Sequence, residues 1–433
     1  MLENFRDYNL YLFKIKRGEI IILLIDLILF SISTYTLITN WRDLFSLDSN
    51  EKGVLLVLIG TIIKFIYDSY NIINEIKSSM DLRYGYIKSD IQEDIYNRLK
   101  IEDSNNYGYK IEEFKLFNGN IERVSRSRKV DEYLRNNSYA LHKSKEMEKR
   151  IREFIKENKD DLLPFLKFNY RLSNFYGKMF FNEKKLCMST DIKINNDKNI
   201  IYCHRGTYYD TYLTNIISGK ELRSNDNNKL IASAEEYMPV IKKNNEYFLK
   251  NITSSVMNNE IGVSTLAITS DNYLVIWTQN RIAQSSGGLL VPTGSGSCDW
   301  SDIVGDSFND TIINSMNREL WEENGRKNLC PSHKEIGKTK ILGTFRWIKK
   351  GGKSEFVGLT KVNKDLISFS QEKREVFDRR EFLIDSIDGL KGVVNGLLEL
   401  DTISVPLYVN LKALKEYMDS NKEELEEFLN LKS

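Results

Sequence analysis

Two long apolar runs near the N-terminus break an otherwise finely mixed pattern of apolar and polar residues. Ile20 to Thr39 is almost unbroken in apolar residues, and Gly53 to Ile73 is a second such run. At about 1.5 Å per helical residue, twenty positions reach roughly 30 Å, the depth of a bilayer core, so each run predicts a membrane span. The first is too long for a signal-peptide core, and a second run follows it instead of a small-residue cleavage site. Lys14, Lys16 and Arg17 precede the first span, Lys77 and Arg83 follow the second, and Arg42 and Lys52 lie between. The positive-inside rule then places both chain ends in the cytoplasm.

Polar residues inside the runs recur at helical spacing: Glu19, Asp26, Ser33 and Asn40 in the first, Thr61, Lys64, Asp68 and Asn71 in the second. Each span is expected to carry one polar stripe. In an antiparallel hairpin Asp26 lies about 10 Å and Lys64 about 13 Å from the cytoplasmic end, close enough in depth to pair. Ionisable groups in a span are costly, so Asp26, Lys64 and Asp68 predict an assembly surface, a pathway or a hairpin held by its own ion pair.

Beyond the spans the pattern turns charged and helical, with Tyr139 to Asn158 the clearest amphipathic stretch. Six parts are expected: a cytoplasmic segment 1–18, spans 19–39 and 53–73 around an external loop 40–52, a helical stalk or coupling region 74–195, and an α/β domain 196–433. Residues 195–199 (NNDKN) mark the last boundary. Arg123, Arg126, Arg128 and Lys129 read as a solvated basic surface, with contact to anionic headgroups as the second reading.

Within the last part, Gly262 to Trp277 reads as two strands around an Asp271-Asn272 turn. The glycine-rich stretch LLVPTGSGS follows at 289–297, then a helix over Asp306 to Asn324 ended by Gly325. Strands are predicted at Ile341 to Trp347 and Ser354 to Val362, and a closing helix at Leu411 to Leu429.

Composition narrows the function. The 433 residues carry a net charge of +1, are 41% hydrophobic and are 28% charged, which excludes a generally basic nucleic-acid binder. Cys187, Cys203, Cys298 and Cys330 form no CxxC pair, and with His142, His204 and His333 they show no zinc spacing. They are expected to be ordinary residues of a reducing compartment.

Candidate chemistry concentrates in Arg318 to Gly325, RELWEENG. On a helix Glu319, Glu322 and Glu323 stand at i, i+3 and i+4, within reach of one hard cation, and Arg318 is expected to pair with Glu322. Three acidic residues in a last turn oppose the helix dipole, so something is expected to compensate them. HRGTYYDTYLTN, His204 to Asn215, gathers hydroxyls and aromatic rings, and Tyr208 is its candidate for stacking a base, against a tyrosine core with satisfied hydroxyls. Glu372, Glu375 and Glu381 are candidates for one further acidic residue.

The octet resembles the right half of the Nudix box, Arg-Glu-aliphatic-x-Glu-Glu-x-Gly, at every fixed position. On the left, Asp310 takes the first Glu position and Val304 stands where the box has Gly, so Gly294 or Gly296 becomes the displaced glycine and Cys298 to Gly305 part of an insertion. The resemblance implies a mixed sheet flanked by helices, Mg²⁺ or Mn²⁺ at Glu319, Glu322 and Glu323, and ligand contacts from Gly294, Gly296 and Arg318. Spans joined to such a domain resemble the two-transmembrane Nudix effectors of CBASS, bacterial anti-phage systems built on cyclic nucleotide signalling. That likeness implies a domain that senses a cyclic oligonucleotide made by a CD-NTase. It also implies a homo-oligomer that permeabilises the inner membrane, causing abortive infection, with no nucleic-acid polymer as partner. The alternatives are a membrane-anchored Nudix hydrolase of nucleoside diphosphate derivatives, with Glu322 and Glu323 as catalytic carboxylates, and an inert scaffold without nucleotide affinity.

Overall fold

The computed structural model describes residues 2–39, 49–78, 85–102, 106–116, 119–178, 180–194, 198–280, 287–326, 329–370 and 376–431. The expectations for Asn40, Arg42, Arg83, Glu372, Glu375 and the boundary at 195–197 lie outside these residues, as do those for the side chains of Lys52, Asn71 and Lys77. The chain divides into two compact units.

The smaller unit comprises Met1–Ile87, Lys156–Asn182 and Leu222–Ala232. Its N-terminal part is helical: α1 (Leu2–Ile15), α2 (Arg17–Thr39) and α3 (Ser49–Ser78). The α1 helix is tied to the helix Lys159–Phe175 by a Tyr8–Tyr170 stack at 4.2 Å and a hydrogen bond donated by Asn4 Nδ2 to Asn174 Oδ1 at 3.1 Å. Apolar side chains of α2 such as Ile22, Leu24 and Ile28 are at least half exposed. Residues Arg17–Thr36 are long and apolar enough to cross a membrane, with mean hydropathy 1.9. Among the described residues this is the one helix of that kind, so length and composition do not confirm the expected second span. The expected partnership within the pair is present nonetheless. Lys64 Nζ of α3 lies 2.5 Å from Asp26 Oδ2 of α2 and 3.5 Å from Asp68 Oδ2, and Phe30 stacks on Phe65 at 4.6 Å. Asp26 and Ser33 are buried, so the middle of the polar stripe of α2 faces protein, whereas Glu19 is exposed.

The larger unit comprises Lys88–Ile155, Glu183–Glu221 and Ser233–Ser433. Its main sheet is built from β1 (Lys110–Lys115), β2 (Ile121–Arg126), β3 (Gly262–Ile268), β4 (Tyr273–Gln279), β5 (Leu290–Val291), β6 (Gly294–Ser297), β7 (Gly337–Trp347), β8 (Lys353–Val362) and β9 (Val376–Leu383). The strand order is β5-β4-β3-β8-β7-β2-β1, with β6 paired to β3 and β9 to β4. β3 runs parallel to β8, with Gly262 opposite Glu355, and antiparallel to β4 and β6, so the sheet is mixed as expected. The Asp271-Asn272 turn closes β3–β4, with Asn272 at φ +66°.

Both faces of β3 and β4 are covered, because their alternating residues enter different cores. Leu266, Ile268, Leu274 and Ile276 pack with residues of the helices Ile387–Leu398 and Val405–Ser420. Ala267, Val275 and Trp277 pack with Leu320 of α4 (Phe308–Glu323). The closing helix expected over Leu411 to Leu429 is two helices, Val405–Ser420 and Lys422–Leu429, interrupted at Asn421.

Two expectations for 74–195 are corrected. It is not a helical stalk: β1 and β2 belong to the main sheet, and within Tyr139 to Asn158 the strand Ala140–Lys143 precedes the helix Lys145–Glu157. Nor do Arg123 and Arg126 belong to a solvated patch, although Arg128 and Lys129 are exposed. Arg126 is fully buried, with one terminal nitrogen 2.7 Å from both Asp131 and Glu416, and Arg123 Nε lies 2.6 Å from Glu113 Oε1. Arg128 also reaches Glu416, at 2.8 Å. Carboxylates from distant parts of the chain neutralise a strand that reads locally as basic.

Candidate functional site

The α4 helix starts where Ser307 Oγ accepts a hydrogen bond from the Asp310 N–H at 3.2 Å, and Gly325 at φ +98° carries the chain past its end. The glycine stretch lies directly against its last turns. A Cβ on Gly294 would meet the Leu320 Cα at 2.5 Å, and one on Gly296 the Glu319 carboxyl carbon at 2.3 Å. This close approach is the reason for glycine at both positions. Asn324 locks the junction, accepting from Trp277 Nε1 at 2.8 Å and donating to the Thr293 carbonyl at 2.8 Å.

The acidic last turn is compensated by backbone donors and by Arg318. The Ser297 N–H donates to Glu319 Oε1 at 3.1 Å, and the Ser295 N–H to Glu323 Oε2 at 3.1 Å. The Arg318 guanidinium lies 3.0 Å from Glu319 Oε1 and 3.2 Å from Glu322 Oε2, which realises the expected Arg318–Glu322 pair. Its main partner is a residue the sequence reading did not single out. Arg318 Nε and one terminal nitrogen donate to Asp302 Oδ1 and Oδ2 at 2.8 and 2.9 Å. The same terminal nitrogen donates to the Ser297 carbonyl at 2.8 Å and lies 3.5 Å from Asp299 Oδ2. Asp299 is shared with buried Lys185, whose Nζ is 2.5 Å from Asp299 Oδ1 and 2.6 Å from Glu183 Oε2.

Asp299 and Asp302 come from the stretch expected to be an insertion. They cap each other's backbone in a short turn, Trp300–Asp302. An Asp-x-x-Asp capping pattern was therefore readable in the sequence, although its target was not. Asp310, expected at the first acidic position, is exposed two turns below the cluster and serves the helix start instead. Val304 is also exposed.

Burial pushes the Glu319 carboxyl up to about 7, against the opposing pull of Arg318. Burial alone would lower the Arg318 pKa, but Glu319, Asp302 and Asp299 more than reverse this and raise it. The site is thus an arginine enclosed by four carboxylates. A divalent cation does not fit it as folded: the guanidinium occupies the centre of the acidic group, and Ser295 and Ser297 hold oxygens of Glu323 and Glu319. Among the described residues no group of three or more His, Cys, Asp or Glu side chains is placed to hold a metal ion.

Tyr208, half-buried at the start of the turn Tyr208–Thr211, adjoins the same network: its N–H donates to the Glu183 carbonyl at 3.1 Å, and it lies within electrostatic range of Glu260 and Lys185. His204 is buried between Ser189 Oγ at 2.9 Å and Asn258 Oδ1 at 3.2 Å. All four cysteines are buried and free. Glu381 lies on β9, where Arg379 Nε donates to it at 2.6 Å, away from Arg318.

No family model matches the sequence, and no curated protein matches it. Among solved structures, the chain is similar to the MutT protein from Methanosarcina mazei Go1, with 11% identity and a TM-score of 0.25, over 36% of this chain and 93% of that one. It is also similar to a Nudix hydrolase from Alicyclobacillus acidocaldarius, with 12% identity and a TM-score of 0.27, over 36% and 91% of the two chains.

Proposed function

We propose that this chain is a membrane-bound effector whose larger unit is a Nudix-like domain that senses a nucleotide instead of hydrolysing one. The observation that carries the reading is the state of the half-box. Arg318 fills the space between Asp299, Asp302, Glu319 and Glu322, so the residues that would gather metal ions are spent on an internal cation. The glycine stretch is retained, and its N–H groups already have carboxylate partners. A site so prepaid is suited to recognition and poorly suited to turnover, which needs metals and substrate held to within about 0.5 Å.

The ligand in this reading is a cyclic oligonucleotide made by a CD-NTase, as in CBASS, and the response is assembly of copies in the inner membrane. Apolar α2 and the Asp26–Lys64 pair support the membrane part. One hairpin encloses no pore, so a conducting path needs several copies. The test is calorimetry of the full chain in detergent with cyclic di- and trinucleotides, beside turnover assays on linear nucleoside diphosphate derivatives with Mg²⁺ or Mn²⁺. Binding without turnover is expected. Turnover of the linear compounds with no heat from any cyclic nucleotide would establish the hydrolase in its place.

A further inference from the structure

The exposed apolar surface of the larger unit gathers at one place. Among its described residues, the three most exposed large apolar side chains are Ile367 at 91%, Phe377 at 74% and Leu383 at 61%. Phe377 and Leu383 lie near the two ends of β9. Arg379 of the same strand donates to the Leu366 and Phe369 carbonyls at 3.4 and 2.9 Å, which holds the Ile367 turn beside it. β9 pairs with β4 on one side, and among the described residues no strand pairs with its other side. An open edge flanked by apolar side chains is a template for a further strand.

The backbone limits how a further strand can pair. The Ile384 N–H donates to the Asn272 carbonyl at 2.8 Å, and hydrogen-bonded and non-bonded pairs alternate along an antiparallel ladder. Asp378, Arg380 and Phe382 therefore turn their backbone groups toward β4, whereas Arg379, Glu381 and Leu383 turn theirs outward. A second copy of β9 related by a two-fold axis keeps outward groups opposite outward groups only when the axis passes through a residue, not between residues. With the axis at Arg379 or Glu381, that residue faces its own like charge. With the axis at Arg380, Arg379 of each copy faces Glu381 of the other. Within one strand Arg379 Nε already donates to Glu381 at 2.6 Å, so the two pairs merge into one cluster of alternating charge. The same register sets Leu383 opposite Phe377, the residue that a bulge leaves out of the pairing with β4. Arg380 meets its own copy on the opposite face, with Asp378 of the other strand on the diagonal. Phe377 to Leu383 is thus self-complementary in charge, in its apolar ends and in the direction of its hydrogen bonds.

We propose that β9 is a contact between two copies of this chain, which pair antiparallel through this edge about Arg380 and join their main sheets. Such an isologous contact needs one surface patch only. Its purpose rests on the assembly reading, which it deepens by giving the copies a contact outside the membrane helices.

The test follows sedimentation of the full chain in detergent, with and without cyclic diguanylate, and melting curves report folding. Arg379→Glu and Glu381→Arg each set like charges against one another across the axis, and either should weaken self-association about tenfold. Mixing the two variants should restore it, because the acidic edge of one then meets the basic edge of the other. A role confined to the Arg379–Glu381 contact within one strand would not be rescued by mixing. Under oxidation Arg380→Cys should link two chains, since residues of a non-bonded pair lie about 4.5 Å apart between Cα atoms, whereas Asp378→Cys should not. If the parent associates but neither reversal weakens it and Arg380→Cys does not link, the β9 contact is overturned and the assembly reading stands. If Arg380→Cys links chains and the parent leaves liposomes intact with every nucleotide, the contact stands and the assembly reading falls. A parent that stays monomeric at about 0.1 mM, with or without the nucleotide, overturns both.

Discussion

Arg318 and Asp302 meet through two parallel contacts, Nε to Oδ1 at 2.8 Å and a terminal nitrogen to Oδ2 at 2.9 Å. This planar pairing joins the last turns of α4 to the turn Trp300–Asp302, and it orients the guanidinium so that its remaining donors reach Glu322 and the Ser297 carbonyl. Removing one partner of a largely desolvated pair leaves the other uncompensated, at about 3 kcal/mol or somewhat more. Asp302→Ala should therefore lower the urea midpoint of the full chain by that equivalent. Asp310→Ala, at the exposed helix start, should cost under about 1 kcal/mol. Equal losses for the two would show that the Arg318–Asp302 pair has no special weight.

The two glycines facing α4 should differ in cost. At Gly294 an added methyl meets backbone, the Leu320 Cα at 2.5 Å and N at 2.7 Å, which cannot move without shifting the helix. At Gly296 it meets the Glu319 carboxylate, the far end of a flexible side chain. Gly294→Ala is expected to lose about 3 kcal/mol and Gly296→Ala about 1 kcal/mol, within the usual range for overpacking. Gly296→Ala should also break the Ser297 N–H contact to Glu319, which amide exchange at Ser297 would report. A Gly296→Ala loss larger than that of Gly294→Ala would contradict this packing.

Asp26 and Lys64 should show mutual dependence. Asp26→Leu leaves Lys64 with only Asp68, and Lys64→Leu leaves buried Asp26 without its cation. Each single change is expected to abolish ligand-triggered leakage from liposomes while nucleotide binding to the full chain is retained. The double change should restore the helix hairpin, seen as recovered protease resistance, but not leakage. If both single variants leak like the parent, the ion pair is hairpin structure alone and the assembly proposal loses its main support.

His204 makes the acid side of the stability profile testable. Burial pushes its pKa down to about 4, and the Asn258 contact opposes this only in part. The folded state thus refuses a proton that the unfolded chain accepts near its ordinary 6.5. The contribution is full above pH 6.5 and is lost progressively as pH falls toward 4. Thermal melts of the parent should decline through that window. His204→Gln, which can still meet Ser189 and Asn258, should flatten the decline; an unchanged slope would assign the acid limb to other groups.

The sequence by itself determined the features that arise from local periodicity and short-range chemistry. The apolarity of α2, the glycine stretch followed by a capped helix, the β3–β4 turn at Asp271-Asn272 and the depth match of Asp26 and Lys64 all depend on residues within a few helical turns or on rise per residue alone. The Arg318–Glu322 pair was legible for the same reason, being one turn apart. Only the tertiary structure decided what the charged residues do. Arg126 reads as basic surface until Asp131 and Glu416 enclose it, and the region around it reads as helical until the pairing of β2 with β7 holds it extended. In the same way, three glutamates at i, i+3 and i+4 read as a metal site until Asp299 and Asp302 return on Arg318. Charge is long-ranged and its cost depends on burial, so the role of each ionisable group was set by partners that chain folding, and not chain order, brought near.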